Sequence, residues 1–521
     1  MKKIILFFAI SCIASWVYGQ GEMDAFRLSG SDLSGSARGV AMGGAFGALG
    51  GDITGIAQNP AGIGVYRSSE MVTTLSFASV NTETKTLGRI EKDSKFNFDF
   101  SNFAYIAYVP LSDDVKAFNF GFTYNRLKNF NRNYLAKGNK LTSSLTDYIA
   151  NFTTKYANVD PDDLYSYDKG QYDSWPYEPE QNLPWISVLG YNGGLIMDDG
   201  EVYISPLEPF ETVDRTFSVS EQGYIDTYDF TMGANILDKL YLGLTLSLTE
   251  MRYGLYSCYT EEFALGGGYD LYNSLNTEGA GCRISVGAIY RPTAEFRIGL
   301  AYHSQTWYNL IDCYYAQTER DYDTNDPRIP LKTHTPYDAA PDYRFTTPDR
   351  WVVSLAGILG KKAILSLDYE YSDYSKMKLK STNGLYTPYY QDQNDDISKD
   401  FTGASSLKLG MEYKVTPQLA LRAGYAWMQS PLEKSFKASG EVFLPHDRTI
   451  TAYTLDGDIN YFSYGAGYRF TPNFYMDLAF SFKTQTNQLY AYSGEALGVA
   501  SVPSAFKNNS VRGLLTLGYK F

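Results

Sequence analysis

The sequence predicts an all-β fold, a 14-stranded antiparallel transmembrane β-barrel of the outer membrane with an N-terminal hatch inside its lumen. The first observation is composition: aromatic residues make up 16% of the 521 residues, and 46 of them are tyrosines, while the whole chain is only 44% hydrophobic. Aromatic girdles mark both interfaces of such barrels, and each strand is apolar on one face only. The second observation is a period of two in the apolar residues of many segments, which indicates strands.

The chain begins with a segment typical of a secretory signal peptide, with two lysines, an apolar run over residues 4–14 and the small Gly19. We expect cleavage after Gly19, which removes residues 1–19. A lipoprotein cysteine at Cys12 is the alternative, although the residues before it form a poor lipobox. Without the two leader lysines, 43 basic residues stand against 58 acidic ones, a net charge near −15. Nucleic-acid binding needs a basic footprint, so this charge argues against it.

Membrane-spanning helices are not predicted after the leader, because the longest apolar run, 351–360, is about half of the roughly 18 residues that a helix needs. Strands are predicted instead. Between residues 240 and 249 five leucines share one face, and Tyr, Gly, Thr and Ser occupy the other. Fourteen such strands are predicted near residues 71–84, 96–110, 116–131, 223–235, 239–258, 281–291, 295–310, 348–360, 362–378, 404–414, 418–430, 459–470, 473–490 and 509–521.

The connections alternate between short turns and long polar segments, which in this architecture face the periplasm and the outside respectively. The long segments are 132–222, 259–280, 311–347, 379–403 and 431–458, with a shorter outer loop at 85–95. This parity puts both termini in the periplasm. The largest outer insertion, 132–222, is expected to open with an amphipathic helix. Its apolar stripe comprises Leu141, Leu145, Ile149, Phe152 and Tyr156.

The last predicted strand has an apolar face that includes Tyr519 and the terminal Phe521. An apolar last strand that ends in phenylalanine resembles the assembly signal of outer-membrane barrels, and we interpret these two residues in that way. An ordinary edge strand is the alternative.

With the wall assigned to residues 71–521, residues 20–70 lie outside it and form the predicted hatch. Their glycines do not fit a nucleotide-binding loop, because no triplet has the spacing of a dinucleotide fingerprint and no lysine occurs between Lys3 and Lys85. Small apolar residues suit close backbone packing inside a lumen. A flexible linker is the alternative, but linkers seldom carry so many apolar side chains.

The segment SARGVAMGGAFGALGGDITGIAQNPAGIGVY, residues 36–66, resembles the hatch of the FadL/TodX-type (OMPP1) family, the long-chain fatty-acid and hydrocarbon transporters of Gram-negative outer membranes. The resemblance continues through residues 96–125, including the Val109-Pro110-Leu111 turn. The expected hatch-motif residues are Asn59, Pro60, Ala61, Gly43, Gly44 and Gly47.

The resemblance implies passive uptake of hydrophobic small molecules, either fatty-acid-like or hydrocarbon-like. Cargo would dock on the outer loops, pass to a pocket between hatch and wall, and leave sideways into the bilayer through a defect in the third strand. Gly121 is the single glycine of that strand and therefore the expected gate, flanked by Phe118, Phe120 and Phe122. Making room for a neighbouring aromatic ring is the alternative role of this glycine.

The implied partners are a hydrophobic substrate, outer-membrane lipid and lipopolysaccharide, and the barrel-assembly machinery during biogenesis. We expect a monomer without cofactor or metal, located in the outer membrane of a Gram-negative bacterium. The family collects ligand on its third and fourth outer loops, here 259–280 and 311–347, whereas this chain has its bulk in 132–222. That insertion could be a lid, a ligand groove or a shield. A surface adhesin, a barrel that binds a haem-like ligand without transport, and a water-filled porin are the alternative functions.

The sequence does not predict an enzyme. His303 and Ser304 could be half of a hydrolase pair, but no spacing marks a third member. Asp321, Asp323 and Asn325 match the start of an EF-hand calcium loop, which the following residues then break.

Three cysteines remain after the leader, and their spacing predicts neither a zinc site nor a disulfide framework. Cys258 and Cys282 are the best candidates for a bridge, because both would lie at the ends of adjacent strands. Remaining single is the commoner fate of such residues.

Overall fold

A computed structural model gives the structure of the protein. It describes residues 21–112, 114–157, 160–164, 167–168, 171–172, 183–324, 329–335, 342–360, 362–382, 390–439, 442, 448–494, 497–499 and 501–521. The expected leader, residues 1–19, lies outside the described residues, as does Asn325 of the calcium-loop pattern.

Fourteen strands form the wall. They are β1 (Glu70–Thr86), β2 (Arg89–Pro110), β3 (Val115–Asn129), β4 (Val213–Ile236), β5 (Leu240–Phe263), β6 (Gly268–Tyr290), β7 (Phe296–His303), β8 (Arg350–Leu359), β9 (Ala363–Asp373), β10 (Gly403–Lys414), β11 (Leu419–Met428), β12 (Ile459–Arg469), β13 (Phe474–Tyr490) and β14 (Ser504–Lys520). Each pairs antiparallel with its neighbours in chain order. β1 also pairs with β14, from Glu70 opposite Lys520 to Lys85 opposite Ala505. The sheet therefore closes, which confirms the predicted 14-stranded antiparallel barrel.

The two faces of the wall differ as the alternation predicts. On β5 four leucines are between 41% and 46% exposed on the outer face: Leu242, Leu244, Leu246 and Leu248. The intervening Thr245, Ser247 and Thr249 are buried on the inner face. The apolar face thus meets lipid, and the small polar side chains face the lumen.

Further strands extend the wall at its outer end. They are Arg132–Leu141, Trp307–Arg320, Lys332–His334, Asp342–Thr346, Lys378–Ser381 and Tyr453–Leu455. The predicted outer loops 259–280 and 311–347 are therefore wrong over much of their length, because β5 continues to Phe263 and β6 begins at Gly268. Inward side chains there, such as Tyr259 and Leu271, are buried among other protein residues. These parts of the strands lack a lipid-facing apolar stripe. Aromatic and polar residues alternate in them instead, so their sequence resembles that of a loop.

The helices lie inside the barrel and over its outer end. They are α1 (Glu22–Ser29), α2 (Ala37–Ala41), α3 (Ile53–Gln58), the 3₁₀ helix Pro60–Val65, α4 (Leu145–Phe152), the π turn Thr153–Ala157, α5 (Pro161–Leu164), α6 (Trp185–Asn192), the 3₁₀ helix Tyr374–Lys376, α7 (Gln391–Asp400) and α8 (Lys434–Ser439). Two strand pairs accompany them, Tyr167–Asp168 with Gln171–Tyr172 and Met197–Asp198 with Tyr203–Ile204. None of the helices in the described ranges is both long and apolar enough to cross a bilayer.

The predicted amphipathic helix of the insertion is present but shorter. Leu145, Ile149 and Phe152 lie on α4 and are buried, whereas Leu141 ends a strand four residues earlier. Tyr156 belongs to the π turn, and its side chain lies outside the described part. The helix starts late because Ser144 caps it: its hydroxyl accepts from the Thr146 N–H, and Asp147 completes a capping box.

Glu261 of β5 holds the start of α4 against the wall. Its carboxylate accepts hydrogen bonds from the Ser144 hydroxyl and from the Leu145 N–H at 3.0 Å. The hydroxyls of Tyr259 and Tyr269 donate to the same carboxylate at 2.6 and 3.1 Å. Burial raises the pKa of Glu261, and these four donors stabilise its charged form. The insertion is therefore fixed to the outer end of the wall by a buried polar cluster.

The suggested disulfide does not form, because its two cysteines are out of register. Cys258 lies opposite Tyr272 of β6, while Cys282 lies ten residues further along that strand, opposite Leu248. All three described cysteines, including Cys313, are free.

Candidate functional site

Residues 21–66 lie within the barrel. α2 packs against β11, β12, β13 and β14, and the 3₁₀ helix Pro60–Val65 packs against β3, β4, β5 and β6. Buried aliphatic side chains occur along residues 37–63: Ala37, Val40, Ala41, Ala45, Ala48, Ala61 and Ile63. The N-terminal segment, as we call residues 21–66, therefore lies against much of the inner wall.

Asn59 connects two parts of the N-terminal segment to the wall. Its Nδ2 donates to the Gly47 carbonyl at 2.8 Å and to the Ala288 carbonyl of β6 at 3.1 Å, and its Oδ1 accepts from the Ala61 N–H at 3.1 Å. The last contact caps the 3₁₀ helix, which begins with Pro60 at a position where a missing N–H is harmless. The predicted Asn59-Pro60-Ala61 motif thus lies at one junction between segment and wall.

Glycines of the wall make room for this junction. Gly233, Gly243 and Gly287 lie side by side on β4, β5 and β6. A Cβ on Gly243 would lie 2.2 Å from the Pro60 carbonyl carbon and oxygen, and one on Gly287 would lie 1.9 Å from the Asn59 Oδ1. These three glycines are not among the predicted site residues, although inward-facing glycines that align on neighbouring strands are a readable signal of close backbone approach.

A second junction involves the predicted glycines of the segment. Gly43 has φ +64° and lies against the backbone of β10 and β11, where a Cβ on Gly424 would come within 2.1 Å of its nitrogen. Gly44 has φ +76°, which glycine adopts readily. At Gly47, the N–H donates at 2.9 Å to the Oδ2 of Asp368 on β9, which also accepts from the Phe46 N–H at 2.9 Å.

Charged side chains of the inner wall bind the segment as well. Arg38 of α2 donates through Nε to the Glu412 carboxylate at 2.8 Å, and Arg422 donates to the same carboxylate at 2.7 Å. Arg422 also pairs with Asp477 at 2.5 Å. These residues belong to strands that sequence analysis identified, but their pairing depends on the closed wall and could not be read from one strand.

A cavity of about 260 Å³ lies beside the N-terminal segment. Its apolar lining includes Met23 and Phe26 of α1, Leu33, Leu127 and Phe130. Its charged lining comprises Arg27, Arg126, Lys128, Arg132, Arg350, Lys483, Arg512, Asp32, Asp99, Glu221, Glu370 and Asp456, seven cations against five anions. The cavity is therefore amphiphilic, with an excess of positive charge.

Two of these cations lack a carboxylate within ion-pair distance among the described residues. Lys128 donates to the Arg27 carbonyl at 2.6 Å, and Arg512 donates to the Leu33 carbonyl at 3.1 Å and to the Ser101 hydroxyl at 2.9 Å. Asp32 instead pairs with Lys483 at 3.2 Å. Lys128 and Arg512 are thus the lining cations that have no ion pair in the described part, and Asp456 is the lining carboxylate without one.

Next to this cavity, the outer parts of β2 and β3 do not pair with each other through the backbone in the described structure. Their backbone pairing runs from Pro110 opposite Ala117 to Asn102 opposite Asn125, and residues 89–101 of β2 pair only with β1 in the described structure. A bulge starts the separation, because Thr74 faces Asn102 while Leu75 faces Phe100, which leaves Ser101 as an extra residue. We call the space between residues 95–101 and residues 126–131 the wall gap.

Side chains close the wall gap. Arg126 lies 2.7 Å from the Asp99 carboxylate on the opposite edge, and the Asn129 amide donates to the same carboxylate at 2.6 Å. Below them, the rings of Phe100 and Tyr124 stack at 5.6 Å. Above them, Lys95 donates to the Glu221 carbonyl at 3.0 Å. The gap is thus bridged by side chains where backbone hydrogen bonds are missing.

The strand defect that is predicted at Gly121 does not lie there. Gly121 lies in regular register between Ile106 of β2 and Thr231 of β4, four residues before the pairing ends. A Cβ there would lie 2.7 Å from the Ile106 Cδ1 and 2.9 Å from the Ile63 Cδ1, so this glycine accommodates aliphatic side chains. The irregularities of β2 and β3 lie instead at Ser101, between Val115 and Ala117, and between Arg126 and Lys128.

The three phenylalanines beside Gly121 alternate with inward residues and form outer-face ring contacts. Phe118 and Phe120 lie 4.9 Å apart, and Phe122 lies 5.4 Å from Phe230 of β4. Phe120 is 46% exposed. They lie on the paired part of β3, below the wall gap.

The C-terminal aromatic residues lie at the other end of the wall. The Phe521 N–H donates to the Ser69 carbonyl at 3.0 Å, and its ring lies 6.4 Å from Tyr519 and 6.0 Å from Tyr105. Tyr519 and Phe521 are about half exposed. Their role as an assembly signal stays a prediction.

The residues that the sequence offers for a hydrolase pair or a calcium loop form no catalytic or metal-binding group in the described structure. His303 is buried; its Nδ1 lies 2.8 Å from the Ser285 hydroxyl and its Nε2 lies 3.1 Å from the Gln58 carbonyl. The Ser304 hydroxyl instead donates to the Gln305 carbonyl. Within the ranges that the structure describes, no group of three metal-ligating side chains occurs, Asp321 and Asp323 included.

The model of the family described as "Outer membrane protein transport protein (OMPP1/FadL/TodX)" matches residues 234–520, more than half of the chain. The protein belongs to this family. Among curated relatives of this FadL/TodX protein, the "47 kDa outer membrane protein" of Pasteurella multocida is 27% identical over 212 residues, and "Outer membrane protein P1" of Haemophilus influenzae is 27% identical over 201 residues. The alignments cover 38% of this chain and 42% and 37% of the relatives, so the chain spans less than half the length of either.

Solved structures agree with the family assignment at the level of fold. A Pseudomonas aeruginosa FadL homologue superposes with a TM-score of 0.53 at 14% identity, covering 94% of this chain and 99% of that one. The closed barrel and the outer-membrane relatives place this FadL/TodX protein in the outer membrane of a Gram-negative bacterium.

Proposed function

We propose that the protein carries hydrophobic small molecules passively across the outer membrane, from the outer loops through the cavity and sideways into the bilayer through the wall gap. One observation carries the proposal: Asp99, Arg126 and Asn129 line the cavity and the wall gap at the same time. A solute in the cavity is therefore separated from the bilayer by these side chains and their neighbours in the gap, Lys95 and the stacked rings of Phe100 and Tyr124. Each methylene that moves from water into hydrocarbon gains about 0.8 kcal/mol, so the transfer needs no energy source.

The N-terminal segment supports the transporter over the porin. It acts as a hatch, since Asn59 and the buried backbone around Gly43 hold it against two separate parts of the wall, β6 and the pair β10 and β11. A plugged lumen obstructs ion flow but leaves the lateral route free. The contacts with wall glycines would serve no purpose in a water-filled channel.

The cavity lining favours an amphiphile with one anionic group over a plain hydrocarbon. Lys128 and Arg512 have no ion-pair partner in the described part of the chain, and a carboxylate or a similar head group would provide one. Met23, Phe26 and Phe130 would contact the apolar tail. An uncharged hydrocarbon would leave these two cations without a counter-charge, which is unfavourable in a buried site.

A second candidate function is binding of a surface partner without transport. Phe210 is fully exposed and has φ +66°, and Leu265 is 75% exposed. They lie close together, because the Leu265 N–H donates to the Glu211 carboxylate. Two exposed apolar side chains at the outer end favour contact with another molecule.

In this proposal the protein is a monomer, and its function is neither enzymatic nor cofactor-dependent. Its partners are the substrate, outer-membrane lipid and lipopolysaccharide. During biogenesis, the assembly machinery is a further partner. The terminal Tyr519 and Phe521 would carry the assembly signal.

Uptake by cells that lack their own transporter tests the proposal. Ala78 lines the cavity, so Ala78→Trp should reduce uptake of labelled palmitate, whereas Ser79→Trp, which changes the neighbouring position on the same strand outside the cavity lining, should not. Equal uptake by both variants, each assembled to normal levels, would rule out the cavity as the route. Loss of binding to cells in Phe210→Ser without loss of uptake would separate the second function from the first.

A further inference from the structure

Arg126 joins the two edges of the wall gap through two carboxylates. Its Nη1 lies 2.7 Å from Asp99 on β2, across the gap, and its Nε lies 2.9 Å from Asp226 on β4, on its own side. The guanidinium also lies over the Tyr224 ring, 4.5 Å from its centre. Asp226 and Tyr224 would therefore keep Arg126 in place if the bond to Asp99 were broken.

Two of the side-chain bonds across the gap converge on one carboxylate. Asp99 accepts from Arg126 through Oδ1 and from the Asn129 amide through Oδ2 at 2.6 Å. Displacement of this single side chain would release both contacts. What would remain is the Lys95 hydrogen bond to the Glu221 carbonyl and the stack of Phe100 on Tyr124, an apolar contact that a hydrocarbon tail can replace.

The surroundings of the gap offer partners to an incoming and to a displaced anion. Both polar side-chain atoms of the fully buried Asn102 lack a hydrogen-bond partner in the described structure, and so does the Asn97 Nδ2. Arg512 donates to Ser101, two residues from Asp99, and forms no ion pair with a described carboxylate. A displaced Asp99 would find a cation there.

We propose that the Asp99–Arg126 ion pair is a latch on the wall gap, and that the anionic head group of the cargo opens it by taking the place of Asp99 on Arg126. The inference rests on the proposed transport function, because it requires cargo in the cavity. An arginine binds carboxylates in a two-pronged geometry, and exchanging one carboxylate for another leaves its charge compensated. An uncharged molecule of the same length offers no such exchange, so the latch selects for amphiphiles with an anionic head.

Opening of the gap is measurable through a cysteine at position 97. In a chain whose mature cysteines are replaced by serine, Asn97→Cys is reconstituted in vesicles with a maleimide attached to a lipid. Palmitate should raise the labelling rate about tenfold, the order expected when charge-assisted hydrogen bonds are lost. Methyl palmitate, which has the same tail and no charge, should leave the rate unchanged.

The latch residue is tested by Asp99→Asn in the same background. This variant should label fast without any cargo and respond to neither compound, and Asp99→Glu should restore the slow rate and the response to palmitate. Asp93→Asn is the matched control, because Asp93 lies on the same strand outside the cavity lining and should behave as the parent chain. The heat-modifiable gel shift of folded barrels verifies assembly of each variant.

Two results would overturn the latch: equal acceleration by palmitate and methyl palmitate, or slow labelling of Asp99→Asn. Palmitate uptake measured on the same preparations separates this failure from failure of the proposed function. If the parent chain takes up palmitate while Asp99→Asn labels slowly, the latch is wrong and the transport function stands. If the parent chain takes up neither compound, the transport function itself is wrong.

Discussion

Gly243→Ala should loosen the N-terminal segment from the wall. The added Cβ would lie 2.2 Å from the Pro60 carbonyl carbon and 2.4 Å from the Ala61 nitrogen, whereas ordinary contact begins at 3.4 Å. The backbone of the 3₁₀ helix must therefore move by on the order of 1 Å, since no side-chain rotation relieves a backbone contact. Overpacking of this kind costs about 1–3 kcal/mol.

The expected consequence is local opening of the segment. A destabilisation of about 1–3 kcal/mol raises the population of a displaced segment by a factor of about 5 to 150. Hydrogen exchange of residues 59–66 should accelerate by that factor, and planar bilayers should show brief conductance events that the parent protein lacks.

A matched control exists on β8, where a Cβ on Gly357 would meet nothing within 4 Å. Gly357→Ala shares the effect of alanine on the unfolded chain, which is worth about 0.4–1 kcal/mol, but adds no clash. Exchange of residues 59–66 that is equally slow in Gly243→Ala and Gly357→Ala would refute the reasoning.

Three further changes test other parts of the structure. Gly121→Val should clash with Ile63 and Ile106 and raise conductance; a fall in uptake with unchanged conductance would instead support a role of Gly121 as the gate. Glu261→Ala leaves the Ser144 and Leu145 donors without an acceptor and should speed proteolysis of the insertion, while assembly at parental levels shows that the barrel itself is intact. Burial, together with the nearby Asp396 and Asp400, raises the pKa of Glu22 from 4.5 to about 8. The stability that protonated Glu22 gives α1 is therefore fully present below pH 4.5 and is lost as the pH rises through about 8. Protection factors of residues 22–29 should fall over that range in the parent and stay constant in Glu22→Gln; parallel curves would contradict this pKa.

The wall could be predicted from the sequence because its signal is local. Each strand buries one face in lipid, so alternation within about ten residues is enough to find it, as in 240–249. Strand ends beyond the bilayer were missed where inward residues such as Leu271 pack on other protein residues. Asn59, Pro60 and Ala61 were recognised by resemblance, and the structure adds their contacts.

The wall gap could not be predicted in the same way, because it depends on register. The sequence favours Gly121 because glycine tolerates an irregular backbone, yet the residues next to it on both sides pair regularly. Ser101 carries no such signal: it becomes a bulge only because Leu75 pairs with Phe100 and Thr74 pairs with Asn102. The partners of Arg126 come from β2 and β4, which are far apart in the chain.

The N-terminal segment and the wall gap are held by different kinds of contact, and this difference determines which of the two can open. The N-terminal segment lies against Gly243, Gly287 and Gly424 by backbone contacts at close range, and moving it disturbs several strands at once. The wall gap is bridged by the side chains of Asp99 and Arg126, which can change rotamer without any movement of the barrel. A few charge-assisted hydrogen bonds, at about 1.5–3 kcal/mol each, can be exchanged for equivalent bonds to a bound head group. Release sideways therefore requires less rearrangement than release through the segment, which favours exit into the bilayer over exit into the periplasm.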